Sequence, residues 1–182
     1  MVGNNACGLH SVIYGSTRDH TVELKTILSD GSEVVFGAVN KKVFEEKCKL
    51  DNLEGNIYRN IFEILSDPEN RKSINNEFPD PSVPRRNTGY AIDLLSDSNI
   101  FSDKSSRNFS FTDLLAGSEG TLAMSIEIKL RLIPLPPANK ALVCVHLYQR
   151  NESFKANLIA LKFGPSAVEL MDDRILNLTE GN

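Results

Sequence analysis

The chain has 182 residues, of which 41% are hydrophobic and 24% charged, and its formal net charge is -4 at pH 7. This composition is ordinary for a soluble globular protein, and the length allows one domain or one and a half. A negative net charge without a concentrated basic run argues against a nucleic-acid partner. No apolar stretch approaches the length of a transmembrane helix, and no signal peptide is expected.

The three cysteines, Cys7, Cys48 and Cys144, are odd in number and far apart in the sequence. This spacing suggests neither a disulfide framework nor a zinc-binding motif. We therefore expect a reducing, cytoplasmic location and no metal site in this chain.

The N-terminal segment suggests a binding role, because residues 3–8 place asparagines and small residues between two glycines. Such a composition predicts a close-packed loop whose backbone N–H groups face a ligand. A disordered N-terminal tail is the alternative interpretation. After Gly15 interrupts a short apolar run, Arg18 beside Asp19 either fixes the loop by pairing or forms a surface ion pair of little energetic value.

A β-hairpin and three helices are predicted next. Residues 21–28 and 33–39 have strand composition, and Asp30-Gly31 between them favours a tight turn. The predicted helices are one from the cap Asn40 through Lys49, one that begins at Asn52 or Asn56 and buries Ile57, Ile61, Ile64 and Leu65, and one over residues 68–78. We interpret residues 40–85 as a structural helical insertion between β elements.

A proline-rich connector over residues 80–84 leads into the sequence Arg-Arg-Asn-Thr-Gly-Tyr at residues 85–90. The two guanidinium groups suit a phosphate or a carboxylate, although such a pair is more often a solvated surface. A short helix is predicted over residues 91–95.

The strongest local pattern is Gly-Ser-Glu-Gly-Thr-Leu at residues 117–122, followed by a strictly alternating segment. Two glycines three residues apart suit a sharp bend that another group can approach closely, and the pattern favours either a ligand contact or simply a turn. Apolar residues at every second position from Leu122 to Leu132 predict a half-buried β-strand, which the prolines of residues 133–137 end.

The C-terminal part predicts the start of a second domain. The expected order is a strand over residues 141–148, a helix over 151–163, a strand over 167–171 and a helix over 172–178. In the longer helix, Phe154, Leu158 and Leu161 are expected to form a buried stripe. A strand, helix and strand after a proline-rich break are typical of a new domain, whose other half we expect to lie outside this sequence.

Three of these stretches together resemble a known family. They are residues 3–8 with 14–19, residues 86–90, and residues 117–122 with the strand that ends at Pro134. Their order and spacing resemble the second half of the FAD-binding domain of the vanillyl-alcohol oxidase (PCMH) type. Within that family the motifs are most similar to D-lactate, glycolate and D-2-hydroxyglutarate dehydrogenases, and the chain resembles the long bacterial proteins in which an iron–sulfur part follows the flavin part.

The resemblance implies an α+β fold, with a mainly antiparallel sheet, flanking helices and the helical insertion at about 40–85. Residues 1–137 would form the C-terminal part of the FAD-binding domain, and residues 138–182 the beginning of a ferredoxin-like substrate (cap) domain. The family's glycine-rich pyrophosphate loop and its metal-binding cap histidines have no counterpart in this sequence. We therefore expect a piece of a longer protein, inactive by itself and only a weak binder of FAD.

The implied activity is oxidation of a D-2-hydroxy acid of the lactate, glycolate or 2-hydroxyglutarate type by hydride transfer to FAD, with a general base supplied by the absent part of the cap. No residue of this chain is expected to be catalytic. The implied cofactor-binding residues are Asn4, Asn5, Ala6, Cys7, Gly8, Tyr14, Gly15, Glu119, Gly120 and Met124. An iron–sulfur cluster would lie elsewhere in the longer protein, and exposed half-domain surface would favour self-association.

The competing hypothesis is a non-catalytic α+β interaction or scaffold domain that keeps the glycine loops only as turns. Flavin binding distinguishes the two, because the scaffold hypothesis predicts none.

Overall fold

A computed structural model of the chain describes residues 1–80, 82–83, 86 and 89–180. The predicted proline-rich connector and the loop at residues 85–90 lie partly outside these described residues. Within them the chain has an α+β fold that combines a three-stranded antiparallel sheet with helices.

The strands are β1 (Thr21–Ile27), β2 (Glu33–Gly37) and β3 (Met124–Leu130). The α-helices of the described residues are α1 (Ser11–Tyr14), α2 (Thr17–His20), α3 (Lys41–Cys48), α4 (Leu53–Ser66), α5 (Pro68–Glu77), α6 (Ile92–Ser96), α7 (Thr112–Leu115), α8 (Arg150–Ala160) and α9 (Asp173–Thr179). A 3-10 turn, Leu161–Phe163, continues α8.

The chain separates into two compact units. The first, which we call the core unit, contains Met1–Ala6 and Ser16–Leu132, and the second, the tail unit, contains Cys7–Gly15 and Ile133–Asn182. The predicted domain boundary near residue 137 stays a prediction, since compact units of a structure need not coincide with the domains of a family.

The sheet of the core unit has the strand order β2-β1-β3, with antiparallel pairing on both sides of β1. Leu24 in β1 lies opposite Phe36 in β2 and Ile128 in β3, so the three side chains share one face of the sheet. The predicted hairpin is confirmed, since Asp30 Oδ1 accepts from the Ser32 N–H at 2.9 Å within the turn.

A cluster of aromatic rings packs against that face of the sheet and forms the centre of the core unit. Phe109 lies edge to face with both Phe44 and Phe111 at centroid distances of 4.9 Å, and Tyr58 contacts Phe111 at the same separation. These edge-to-face contacts add to the free energy gained by burial. The helical insertion therefore contributes four buried residues to this core, which are Phe44 of α3 and Tyr58, Ile61 and Leu65 of α4.

The helices of the insertion begin where the sequence predicts. The side chains of Asn40, Asn52 and Asp67 each accept a hydrogen bond from a backbone N–H in the first turn of α3, α4 and α5. The choice between Asn52 and Asn56 is thereby settled for Asn52. The predicted buried face of α4 is partly wrong. Ile64, which was predicted to be buried, is 44% exposed, whereas Tyr58 is buried.

The strand predicted for residues 122–132 forms as β3, but the expectation that it is half-buried is wrong. All seven residues of β3 are exposed, including Ile126 and Ile128. The physical reason is its position, because β3 is an edge strand and the described aromatic cluster covers β1 and β2 rather than β3.

Among the described residues of the tail unit, the predicted helices form and the predicted strands do not. Helices α8 and α9 lie where the sequence predicts them, whereas the described residues at 141–148 and 167–171 form no strand. Phe154, Leu158 and Leu161 are exposed, so the predicted buried stripe is also wrong. A helix satisfies its own backbone, but a strand needs a neighbouring strand to bond with.

Candidate cofactor site

The buried side chain of Arg18 ties together three segments of the core unit. Its Nη2 donates to the Ala116 carbonyl at 2.6 Å and to the Gly89 carbonyl at 3.2 Å. Its Nη1 donates to the Arg86 carbonyl at 3.5 Å. Burial lowers the pKa of Arg18, and the carbonyl dipoles take the place of the water that the guanidinium loses. The loop at Gly89 and the turn that follows Ala116 are therefore fixed to the same cation.

The neighbouring carboxylate has a different partner, so neither interpretation of an Arg18–Asp19 pair is correct. Asp19 Oδ2 accepts from the Ser16 N–H at 2.7 Å and from the Ser16 hydroxyl at 3.0 Å, which caps α2. The role of Arg18 was not predicted. The spacing Ser-x-x-Asp is a helix-capping signal that assigns Asp19 to Ser16 and leaves Arg18 to bind elsewhere.

Asn5 is the most enclosed of the residues predicted to contact a cofactor. It is fully buried, has a backbone φ of 50°, and accepts a hydrogen bond from the Arg18 N–H to Oδ1 at 2.7 Å. Asparagine is among the few residues that adopt positive φ readily. Among the residues that the structure describes, none is a hydrogen-bond partner of the Asn5 Nδ2 amide group. A buried donor without a partner costs about 1–3 kcal/mol, so it favours an acceptor from outside the loop.

The two glycine-containing loops of the core unit are adjacent. The Glu119 N–H donates to the Gly3 carbonyl at 2.7 Å, and the Gly117 N–H donates to the Val2 carbonyl at 3.0 Å. Gly117 has a φ of 96°, and a Cβ there would lie 2.8 Å from Arg18 Nη2, so a larger residue is excluded by both conformation and space. Two loops that lie more than a hundred residues apart in sequence thus form one surface.

The space beside Gly120 is open. Its φ is 76°, and a Cβ built on it would meet no atom of the described residues within 4 Å. Next to it, the Thr121 hydroxyl donates to the Ser118 carbonyl at 2.6 Å, and the Tyr90 hydroxyl lies 2.6 Å from Thr121 Oγ1. The turn is therefore braced on one side by side-chain hydrogen bonds and accessible on the other.

The candidate residues fall into both units. Asn4, Asn5, Ala6, Glu119, Gly120 and Met124 lie in the core unit, and Cys7, Gly8, Tyr14 and Gly15 in the tail unit. Of the backbone donors in the N-terminal loop, the Asn5 and Ala6 N–H groups donate to the Val2 and Met1 carbonyls and are occupied within the loop. That these residues bind FAD stays a prediction.

Asp113 is a buried carboxylate of the same region. Arg107 Nη2 lies 2.7 Å from its Oδ1, yet the loss of water on burial dominates and raises the pKa of Asp113. The positive charge of Arg18 acts in the opposite direction and lowers that pKa.

Two surface grooves lie away from these turns. One is lined by Pro68, Arg71 and Lys72 of α5, and the other by residues that include Phe44, Phe62 and Phe101. Neither groove includes a candidate cofactor residue. Among the residues that the structure describes, no group of three or more His, Cys, Asp or Glu side chains is placed to hold a metal ion. No helix in the described part of the chain combines the length and apolarity needed to cross a membrane.

The chain is similar to three curated proteins that are each named D-2-hydroxyglutarate dehydrogenase. Those from Pantoea ananatis, Pseudomonas putida and Escherichia coli are 29%, 28% and 28% identical to it over 178 residues, which is 98% of this chain. The same alignments cover only 16% of each relative, so the chain spans about a sixth of their length. No protein-family model matches the chain. No solved structure matches it either.

Proposed function

We propose that this chain is part of an FAD-dependent dehydrogenase of D-2-hydroxy acids and forms one side of its flavin site. The observation that carries the proposal is the similarity to dehydrogenases over 98% of the chain. The relatives' printed name makes 2-hydroxyglutarate the first substrate to test, with lactate and glycolate as smaller 2-hydroxy acids of the same chemistry.

The residues of the core unit fit a flavin in two respects. The buried Nδ2 of Asn5 is an amide donor without a partner in the described part of the chain, and flavin carries carbonyl and ring-nitrogen acceptors. The open space at Gly120 allows a flat group to approach the backbone of the turn. Arg18 would act as a positioning residue, because it holds both Asn5 and the carbonyl of Ala116.

Bound FAD would supply the hydride acceptor for oxidation of the carbon that bears the substrate hydroxyl. In this proposal the chain's own residues bind and orient the cofactor, and Glu119 supports the turn through its backbone bond to Gly3 rather than acting as a base. The proton of the hydroxyl would go to a base outside this chain. The proposal also places any iron–sulfur cluster outside the described residues, which offer no metal-binding group of three.

The test is titration of the chain with FAD, followed by flavin fluorescence and by the midpoint of thermal unfolding. We expect saturable binding and a raised midpoint. Asn5→Asp retains the acceptor for Arg18 and removes the Nδ2 donor, so it should weaken binding by about tenfold. Asn60→Ala, at an exposed position of α4, is the matched control and should leave binding unchanged.

Failure of the chain to bind FAD, repeated with a longer chain extended upstream, contradicts the proposal and favours the scaffold alternative. Binding that Asn5→Asp leaves unchanged contradicts the role given to Asn5.

A further inference from the structure

The glycine turn, residues 117–120, is held at both of its ends by the same two neighbouring residues. Before the turn, the Ala116 carbonyl and the Gly89 carbonyl accept from one nitrogen of the buried arginine, at 2.6 Å and 3.2 Å. After the turn, the Tyr90 hydroxyl lies 2.6 Å from Thr121 Oγ1. The segment at residues 89–90 therefore spans the turn from the residue before it to the residue after it.

The chemistry of the two hydroxyls fixes the direction of the hydrogen bond between Tyr90 and Thr121. The Thr121 hydroxyl donates to the Ser118 carbonyl at 2.6 Å, and a carbonyl oxygen can only accept. Because a hydroxyl has a single hydrogen, Thr121 has none left for Tyr90 and accepts from it. The three groups form a chain in which Tyr90 donates to Thr121 and Thr121 donates to Ser118.

This chain of hydrogen bonds leads from an exposed ring into the turn. The Tyr90 side chain is about half exposed, whereas Ser118 is buried. The Ser118 carbonyl also accepts from the Thr121 N–H at 3.0 Å, so the backbone and the side chain of Thr121 close the turn together. A hydroxyl that accepts a hydrogen bond becomes a stronger donor. Tyr90 therefore strengthens the closure of the turn without touching the Ser118 carbonyl.

The middle of the turn needs such support, because Glu119 is not a glycine and yet has a φ of 54°. A side chain makes this left-handed conformation unfavourable, and it persists only where the surrounding structure holds it. The Glu119 N–H is held by the Gly3 carbonyl at 2.7 Å. The hydrogen-bond chain from Tyr90 holds the other end of the same strained segment.

We propose that Tyr90 is a positioning residue of the cofactor site, which keeps the glycine turn in the shape that the cofactor meets by donating to Thr121. The inference rests on the proposed function, since that function makes the turn one side of a flavin site. Residues 86–90 belong to the motifs that resemble the family, but the implied cofactor-binding residues do not include Tyr90.

Hydrogen exchange of the FAD-free chain tests the support itself. Tyr90→Phe keeps the ring and removes the hydroxyl, and it should speed exchange of the Glu119 and Thr121 amides by about threefold to tenfold. Tyr148→Phe makes the same change at a fully exposed ring of the tail unit and should leave both amides unchanged. Exchange that Tyr90→Phe does not alter overturns the proposal.

Titration with FAD tests whether the cofactor depends on this support. Tyr90→Phe and Thr121→Val should each weaken binding by about threefold to tenfold. The double variant should bind no more weakly than Thr121→Val, because Tyr90 acts only through the Thr121 hydroxyl. Thr121→Ser keeps that hydroxyl and should bind nearly as tightly as the wild-type chain. Additive losses in the double variant overturn the proposal.

The titration separates failure of this inference from failure of the proposed function. A wild-type chain that binds no FAD, alone or extended upstream, contradicts the proposed function and this inference with it. A wild-type chain that binds FAD, with an affinity that Tyr90→Phe leaves unchanged, contradicts only the role given to Tyr90.

Discussion

The core unit and the tail unit have equally clear sequence patterns and very different burial. The core unit encloses Leu24, Phe44, Tyr58 and Phe109 almost completely. In the tail unit no described residue is buried, although seven of the eight residues at 141–148 are apolar. The difference shows that an apolar pattern specifies what a segment can bury, while burial itself needs a second surface that packs against it.

The largest effect expected from this comparison is the loss of a ring at the centre of the core unit. Phe109→Ala removes the edge-to-face contacts with Phe44 and Phe111 and should lower the free energy of unfolding by about 3–5 kcal/mol. Phe163→Ala in the tail unit, where the ring is 84% exposed, is the matched control and should change it by less than about 0.5 kcal/mol. Urea unfolding measures both, and equal losses would contradict the contrast between the units.

A backbone contact in α4 gives the next largest effect. A Cβ on Gly55 would lie 2.1 Å from the Leu50 carbonyl oxygen, which lies in the short connection between α3 and α4 and is held by a hydrogen bond from Arg59. Gly55→Ala should therefore destabilise the core unit by about 3 kcal/mol. Gly37→Ala, whose Cβ would have no neighbour nearer than 3.5 Å, should cost little in the same denaturation experiment. A tolerated alanine at position 55 would show that α4 is packed differently.

Arg18 should be more sensitive to substitution than an exposed arginine of the tail unit. Arg18→Lys retains the charge but loses the geometry that reaches the Ala116 and Gly89 carbonyls, and we expect a cost of about 2 kcal/mol. Arg150→Lys at the start of α8 should be close to neutral. The thermal midpoints of the two variants measure this difference. An Arg18→Lys chain with an unchanged midpoint would contradict the role given to Arg18.

The smallest effect concerns pH. The pKa of Asp113 is raised above its ordinary value of 3.8, so the folded chain holds this proton more tightly than the unfolded chain does. Its contribution to stability is therefore greatest below the ordinary pKa and is lost as pH rises through the raised folded value. Relative to Asp113→Asn, the wild-type chain should gain stability as pH falls from neutral into the acid range.

Urea unfolding at several pH values measures this difference, with Asp51→Asn at an exposed position as the control. A difference that is independent of pH would mean that the Arg107 pair cancels the effect of burial on the pKa, and one that grows as pH rises would mean that the pair outweighs it.

The sequence was most informative where the cause of a structure is local. Asn40, Asn52 and Pro68 mark helix starts because a cap acts within one turn, and Asp30-Gly31 marks its hairpin for the same reason. The exposure of β3 and the missing strands of the tail unit could not be predicted, because they depend on which segments are present to pair with them.

The candidate site shows the same division. The bends at Gly117 and Gly120 and the positive φ of Asn5 follow from residue type, whereas the φ of 54° at Glu119 does not. Arg18 donates to the carbonyl of Ala116, 98 positions away, rather than pairing with Asp19, and this depends on the assembled fold. Local chemistry thus identified the loops, and only tertiary structure identified the residue that holds them together.

The most direct test of the central claim, that the two loops form one side of a flavin site, is hydrogen exchange of the chain with and without saturating FAD. We expect slower exchange in residues 2–6 and 117–121 and no change in α5. Unchanged exchange in both loops at a concentration where FAD is bound would contradict it, because the cofactor would then lie elsewhere.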